Sequence, residues 1–209
     1  MNTKSILSIG AALLLRSLLQ VEPASATSIN YTADGGLISA TADFTLGAAT
    51  TDANGTYQLL TITMTNNTVG QPGEYISDFG FNSDPNATVA NFTAGTTFTG
   101  LSGNTNFANF NTIDICVYTG NNCSAAPAPN GLYAPNSDTV SMRLYGSTPF
   151  TLSDYVIRFA GNLGSFESQG CVADQACGSV PEPSSLLLLG AGIAGVGLLS
   201  RKRRKAGQV

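Results

Sequence analysis

Residues 57–66 read YQLLTITMTN, and from Leu60 to Thr65 side-chain character changes at every step: Leu60, Ile62 and Met64 alternate with Thr61, Thr63 and Thr65. In an extended strand successive side chains point to opposite faces, so this pattern makes one apolar face and one hydroxyl-bearing face. A helix, with about 3.6 residues per turn, would scatter the same residues around its circumference. The β-branched threonines favour the extended form as well. Tyr57–Asn66 is predicted to be a half-buried strand.

Working outward, GLISATADFTL (36–46) alternates in the same way, and the intervening TTDANG (50–55) supplies turn residues. The pair is predicted to form an antiparallel hairpin. Further strands are expected at YISDFGFN (75–82), ATVANFT (87–93), IDICVY (113–118), TVSMRLYG (139–146) and YVIRFAG (155–161), each bounded by Gly, Pro, Asn or Asp clusters. No interior segment sustains a helical period, and no internal repeat appears. The expected fold is all-β, a sandwich or jelly-roll. Two stretches read as irregular. CSAAPAPNGLYAPNS (123–137) carries three prolines, which exclude it from a central strand. Residues 95–111 are expected to cover one end of the core with Phe98, Phe107 and Phe110.

The two ends have a different composition. MNTKSILSIGAALLLRSLLQVEPASA (1–26) has Lys4, an apolar run from Ile6 to Leu15, and Ala24-Ser25-Ala26. That is the layout of a secretory signal with cleavage after Ala26, handled by the Sec export machinery. Arg16 interrupts the apolar run, so an uncleaved N-terminal anchor is the alternative. Between the signal and the C-terminal tail, residues 27–179 form one domain long enough to bury a core. This stretch contains Arg143, Arg158 and no lysine, against eleven acidic residues; two minus eleven gives a net charge of −9. Such a surface repels nucleic acid, whose binding depends on Lys and Arg at the phosphates.

The four cysteines fall in two close pairs, CVYTGNNC (116–123) and CVADQAC (171–177). In an exported chain an even count reads as disulfides, and four cysteines allow three pairings. The turn-rich segments within each pair favour local bonds, Cys116–Cys123 and Cys171–Cys177. A zinc site is the rival, but neither spacing is C-x-x-C and the chain has no histidine.

Catalytic chemistry has few candidates. Absent histidine removes the usual general base for a Ser or Cys nucleophile, and the domain has no lysine for a Schiff base. A carbohydrate hydrolase could be built from two carboxylates, but no spacing among the acidic residues singles out a pair. Most of them sit in turn clusters, where Asp caps backbone groups. Calcium candidates are Asp52 and Asn54 in TDANGTY and Asp84 in NSDPN, though Thr63 stands where a calcium loop of the first kind needs Glu. No other metal and no cofactor is expected. A carbohydrate-binding module would need aromatic platforms; the chain has no Trp, which leaves Tyr118, Tyr133 and Tyr145 near loops. N-x-[S/T] sequons occur at Asn54, Asn66, Asn86, Asn91 and Asn122, among others, in a composition where several arise by chance.

The C-terminal tail reads VPEPSSLLLLGAGIAGVGLLSRKRRK (180–205). Its apolar run, 186–200, would span about 22 Å as a helix, short of the roughly 30 Å of a bilayer core. Snorkelling basic stems extend that reach, and the positive-inside rule keeps Arg201, Lys202, Arg203, Arg204 and Lys205 cytoplasmic. Pro181, Glu182 and Pro183, the apolar run and the basic end, in that order on a secreted chain, resemble the PEP-CTERM protein-sorting domain of Gram-negative bacteria. The resemblance covers about residues 180–205. It implies a C-terminal hydrophobic helix that anchors the protein transiently, processing by an exosortase, and delivery to the cell surface or an exopolysaccharide-containing matrix. The expected function is accordingly a non-enzymatic exported surface or biofilm-matrix protein. The rivals are a carbohydrate-binding module or hydrolase on the same fold, and a plain C-terminally anchored membrane protein.

Overall fold

The computed structural model describes residues 24–107, 110, 112–123 and 130–173. Within them the chain is all-β, arranged as two antiparallel sheets. The YQLLTITMTN segment lies in β4 (Gly55–Asn66), near the centre of the first sheet. β4 pairs on one side with β2 (Ile38–Leu46) and on the other with β10 (Ser137–Tyr145). β1 (Ser25–Ala33) and the two-residue β13 (Cys171–Val172) extend the sheet beyond β2, and β6 (Thr88–Thr93) closes the opposite edge. The short β3 (Thr50–Asp52) folds back onto β4. The expected hairpin therefore exists, with a small extra strand inside its connection.

The second sheet runs in the order β12 (Gly164–Gln169), β11 (Thr151–Gly161), β5 (Tyr75–Asp84), β8 (Thr112–Tyr118) and β7 (Gly100–Asn106), with β9 (Leu132–Tyr133) paired to β5. Its inner face packs on the first sheet. Phe44 of β2 meets Phe81 of β5 edge-on at 5.4 Å and Tyr155 of β11 at 4.8 Å between ring centroids. Leu60, Ile62 and Met64 are fully buried in this core, as the alternation requires. The geometry is that of a β-sandwich, two sheets sharing one apolar layer.

The sheets differ on their outer faces. β4 is buried at every second residue, whereas β5 is buried from Tyr75 through Phe81. A second apolar cluster explains the contrast: Phe107, Ile113, Cys116, Cys123 and Val156 pack together, with Phe110 and Tyr118 against them. Cys116 and Val156 alternate along their strands with core residues Ile115, Val117, Tyr155 and Ile157, so this cluster covers the outward face of the second sheet. The neighbouring strand β8 comes very close to β5 on this face. A Cβ on Gly80 would lie 2.7 Å from Ile113 Cγ2 and 2.9 Å from Ile115 O, so only glycine fits there without displacement.

Residues 95–111 are more ordered than their composition suggests, since β7 lies within them as a paired edge strand. Phe98 enters the main core and meets Phe79 edge-on at 5.0 Å, while Phe107 joins the outer cluster. Likewise the proline-rich stretch 123–137 yields β9, held by Asn66 Nδ2 donating to Leu132 O at 2.8 Å. Three elements without a readable alternation, β7, β12 and β13, sit at or next to sheet edges, where backbone pairing outweighs side-chain pattern. β1 begins two residues before the expected cleavage point; Ser25 and Ala26 are exposed, and cleavage after Ala26 leaves the ladder from Thr27↔Phe44 onward.

Asp138 shows how one carboxylate places a loop. It accepts the backbone N–H groups of Thr96, Thr97 and Phe98, each at 2.8 Å, and the Thr96 hydroxyl at 3.0 Å. Burial alone would raise its pKa, but the N–H groups of Phe98, Thr96 and Thr97 outweigh it and hold the carboxyl below its ordinary value. Asp138→Ala is expected to destabilise the fold by about 2 kcal/mol in urea unfolding, because charge-assisted hydrogen bonds are lost and the anchor of Phe98 loosens. A change below about 0.5 kcal/mol would show that the loop holds itself.

Candidate functional site

The outer face of the first sheet is a hydroxyl array. Strand registers place Thr41, Thr65 and Ser137 in one row and Thr45, Thr61 and Ser141 in another. Between them runs the row Asp43, Thr63 and Thr139. Thr63 and Thr139 hydrogen-bond at 3.0 Å, Thr65 and Ser137 at 2.8 Å, and Asn67 Nδ2 donates to Thr41 at 3.1 Å. Strand pairing spaces such rows at about 4.8 Å across the sheet and about 6.7 Å along it.

At one end of this array stands a polar aromatic cluster. Tyr57 and Tyr145 are cross-strand partners with ring centroids 5.2 Å apart, and the Arg143 guanidinium lies 4.5 Å above the Tyr57 ring. Arg143 Nη1 donates to Asp52 Oδ2 at 2.8 Å, and the Tyr145 hydroxyl donates to the same oxygen at 2.7 Å. Asp52 Oδ1 accepts from Asn54 N at 2.8 Å. Tyr145, then the Asn54 N–H, with Arg143 adding to them, hold the Asp52 carboxyl below its ordinary pKa. Arg143 Nε and Nη2 have no hydrogen-bond partner among the described residues, and the side chain is 35 % exposed. Asp52, considered above for calcium together with Asn54, thus faces protein donors, the Asn54 N–H among them. Asp84 lies in the second sheet, and among the described residues no group of three His, Cys, Asp or Glu could hold a metal ion.

A second cluster lies on the covered face of the second sheet. Arg158 Nη2 meets Glu167 Oε1 at 2.7 Å, and Nη1 reaches Asp78 Oδ2 at 3.2 Å and Cys123 O at 2.9 Å. The Phe107 ring sits 5.1 Å from the guanidinium. All three ionic side chains are less than a tenth exposed. Asp78 also accepts the Ser77 hydroxyl at 2.7 Å, while its Oδ1 is buried with no partner among the described residues. Burial pushes the Asp78 pKa up to about 6, against the opposing pull of Arg158 and Ser77. Arg158, held by these two carboxylates, ties the Cys116–Cys123 loop to the sheet through Cys123 O.

That disulfide is formed as expected, with Cα atoms 6.4 Å apart. Cys171 is also disulfide-bonded; Cys177, its expected partner, lies outside the described residues, as does the sorting segment with Pro181, Glu182, Pro183 and the basic run. No helix among the described residues is long and apolar enough to cross a membrane, and residues 186–200 fall outside them.

Of the tyrosines named from sequence, Tyr118 packs into the outer cluster and Tyr133 packs against Tyr75 with ring centroids 5.1 Å apart and tilted, 38 % exposed. Tyr145 belongs to the Asp52 cluster. Its partner Tyr57 was missed because it reads as an ordinary strand residue, and only the register puts the rings together. Of the sequons, Asn66 is fully buried, which closes it to glycosylation. A cavity of about 220 Å³ opens at one end of the sandwich, lined by Phe44, Leu46, Phe150 and Tyr155 with hydroxyls of Ser25, Thr27 and Thr151 at hand.

The described domain is a disulfide-bearing β-sandwich with one solvated hydroxyl face and one covered face. Residues 179–204, which follow it, match the PEP-CTERM protein-sorting motif, the signature of exported proteins that an exosortase sorts from a membrane-anchored state. A search of curated proteins and a search of solved structures each found no match.

Proposed function

We propose that the chain is a surface or extracellular-matrix protein of a Gram-negative bacterium, exported through Sec, anchored transiently by its C-terminal segment and released by an exosortase, without enzymatic activity. The observation that carries this reading is the sorting motif at residues 179–204, placed directly after a β-domain. The signal-like N-terminus, the disulfide and the absence of histidine support it. Burial of Asp78 and Glu167 favours a structural use of those carboxylates over hydrolysis. The polar aromatic cluster at Tyr57 favours an added carbohydrate-binding role.

Intact-mass measurement of the protein from cells and from medium tests the sorting. Released material is expected to lack residues 1–26 and everything beyond the Pro181–Pro183 region, and to shift on reduction by two disulfides. An intact RKRRK end on all cellular and released material would make it a plain anchored protein instead.

A further inference from the structure

We infer that the outer face of the first sheet binds a neutral polysaccharide, with the Tyr57–Arg143–Tyr145 cluster as the stacking end of the site. This deepens the carbohydrate-binding role just proposed and rests on it. Three observations converge on this ligand. First, the face is exposed at Asp43, Thr45, Ser137 and Thr139, unlike that of the second sheet, where Phe107 and Cys123 lie over the strands. Second, two of its rows carry hydroxyls in register across three strands, and the row between them carries two hydroxyls and Asp43; each hydroxyl can both donate and accept. A polyhydroxyl chain laid on such rows exchanges hydrogen bonds with successive residues at modest desolvation cost, since all but one of the side chains in the rows are neutral hydroxyls. Third, the rows end on the half-buried Tyr57, with Tyr145 buried beside it and the Arg143 guanidinium over its ring, and two nitrogens of Arg143 have no partner among the described residues, so an aromatic edge stands beside a donor fork. Aromatic rings take the C–H faces of a sugar, and the fork takes its hydroxyls.

Charge decides which polysaccharide. Arg143 is neutralised by Asp52 at 2.8 Å, Asp43 is the array's own charge, and residues 27–179 carry a net charge of −9. A polyuronate would meet repulsion from the domain and gain no free cation in return. The fitting ligand is an uncharged glycan.

The test uses the full-length chain in a sugar-free detergent, with cellulose, chitin and dextran as neutral probes and polygalacturonate as the anionic one. Binding to at least one neutral probe is expected, with little change on adding salt. Thr63→Lys, at a half-buried position in the middle row of the array, and Tyr57→Ala should each weaken it about five- to tenfold, the scale of one or two net hydrogen bonds. Tyr133→Ala, on the other sheet, should leave it unchanged. The inference is overturned if no neutral probe binds, if polygalacturonate binds better, if Tyr133→Ala alone abolishes binding, or if the array variants change only self-association. Thr63→Lys keeps the test decisive should Tyr57→Ala fold poorly. Because sorting is read separately by mass, failure of binding and failure of sorting are distinguishable.

Discussion

Arg158→Ala is expected to lower the stability of the domain by about 3–5 kcal/mol, the range for removing one partner from a buried ion pair. The cost does not come from the attraction itself, which roughly offsets the desolvation of the charges. It comes from what remains: Asp78 and Glu167, both nearly inaccessible, would face each other without the guanidinium between them. Cys123 O would lose its 2.9 Å donor, and the Phe107 ring its cation, so the cover over the second sheet would loosen as well. Urea unfolding of the variant reads the loss. Adding Asp78→Asn and Glu167→Gln to Arg158→Ala should recover a large part of it, because neutral amides can be buried at lower cost. A single variant within about 1 kcal/mol of wild type, or a triple variant no better than the single, would show that the cluster is not what holds the cover.

The second large effect is a pH dependence owed to Asp78. Its pKa rises from an ordinary 3.8 to about 6 in the folded domain, chiefly through burial. The folded state therefore holds this proton more tightly than the unfolded chain does. The stabilisation linked to it is fully present below about pH 4 and is lost as pH rises through about 6. At about 1.4 kcal/mol per unit, a shift of this size corresponds to about 3 kcal/mol across that window. Asp138 works in the opposite direction: its lowered pKa gives stability that is lost as pH falls. The contribution of Asp78 is isolated by comparing unfolding of wild type and Asp78→Asn from pH 4 to 7. The stability difference should move in favour of the variant as pH rises, by up to about 3 kcal/mol. Parallel curves over this range would mean that Arg158 keeps Asp78 ionised throughout.

Much of the architecture was legible in the order of residues. The Leu–Thr alternation of residues 57–66 marked both the strand and its buried side, and TTDANG marked the reversal that follows β2. Local pairing of Cys116 with Cys123 followed from seven residues of turn-rich chain. Edge strands were less legible. β7 (GLSGNTN) has no apolar face to betray it and exists because β8 presents backbone groups to pair with. β1 was obscured by its overlap with the end of the signal, although Ile29 and Tyr31 alternate within it.

The candidate sites were harder to see for a related reason. Asp78 and Arg158 are eighty residues apart, as are Arg143 and Asp52 at ninety-one, and no local pattern selects them from the other carboxylates. By itself the sequence determined that this chain is β throughout its described domain, which side of its central strand is apolar, and that its tail carries a sorting motif. These are local properties, written in side-chain period and short motifs. Only the tertiary structure decided which sheet keeps an open outer face, which carboxylates share a guanidinium and which tyrosine stands beside Tyr145. Those outcomes depend on strand register and on loops crossing a sheet, contacts made between residues that lie far apart along the chain.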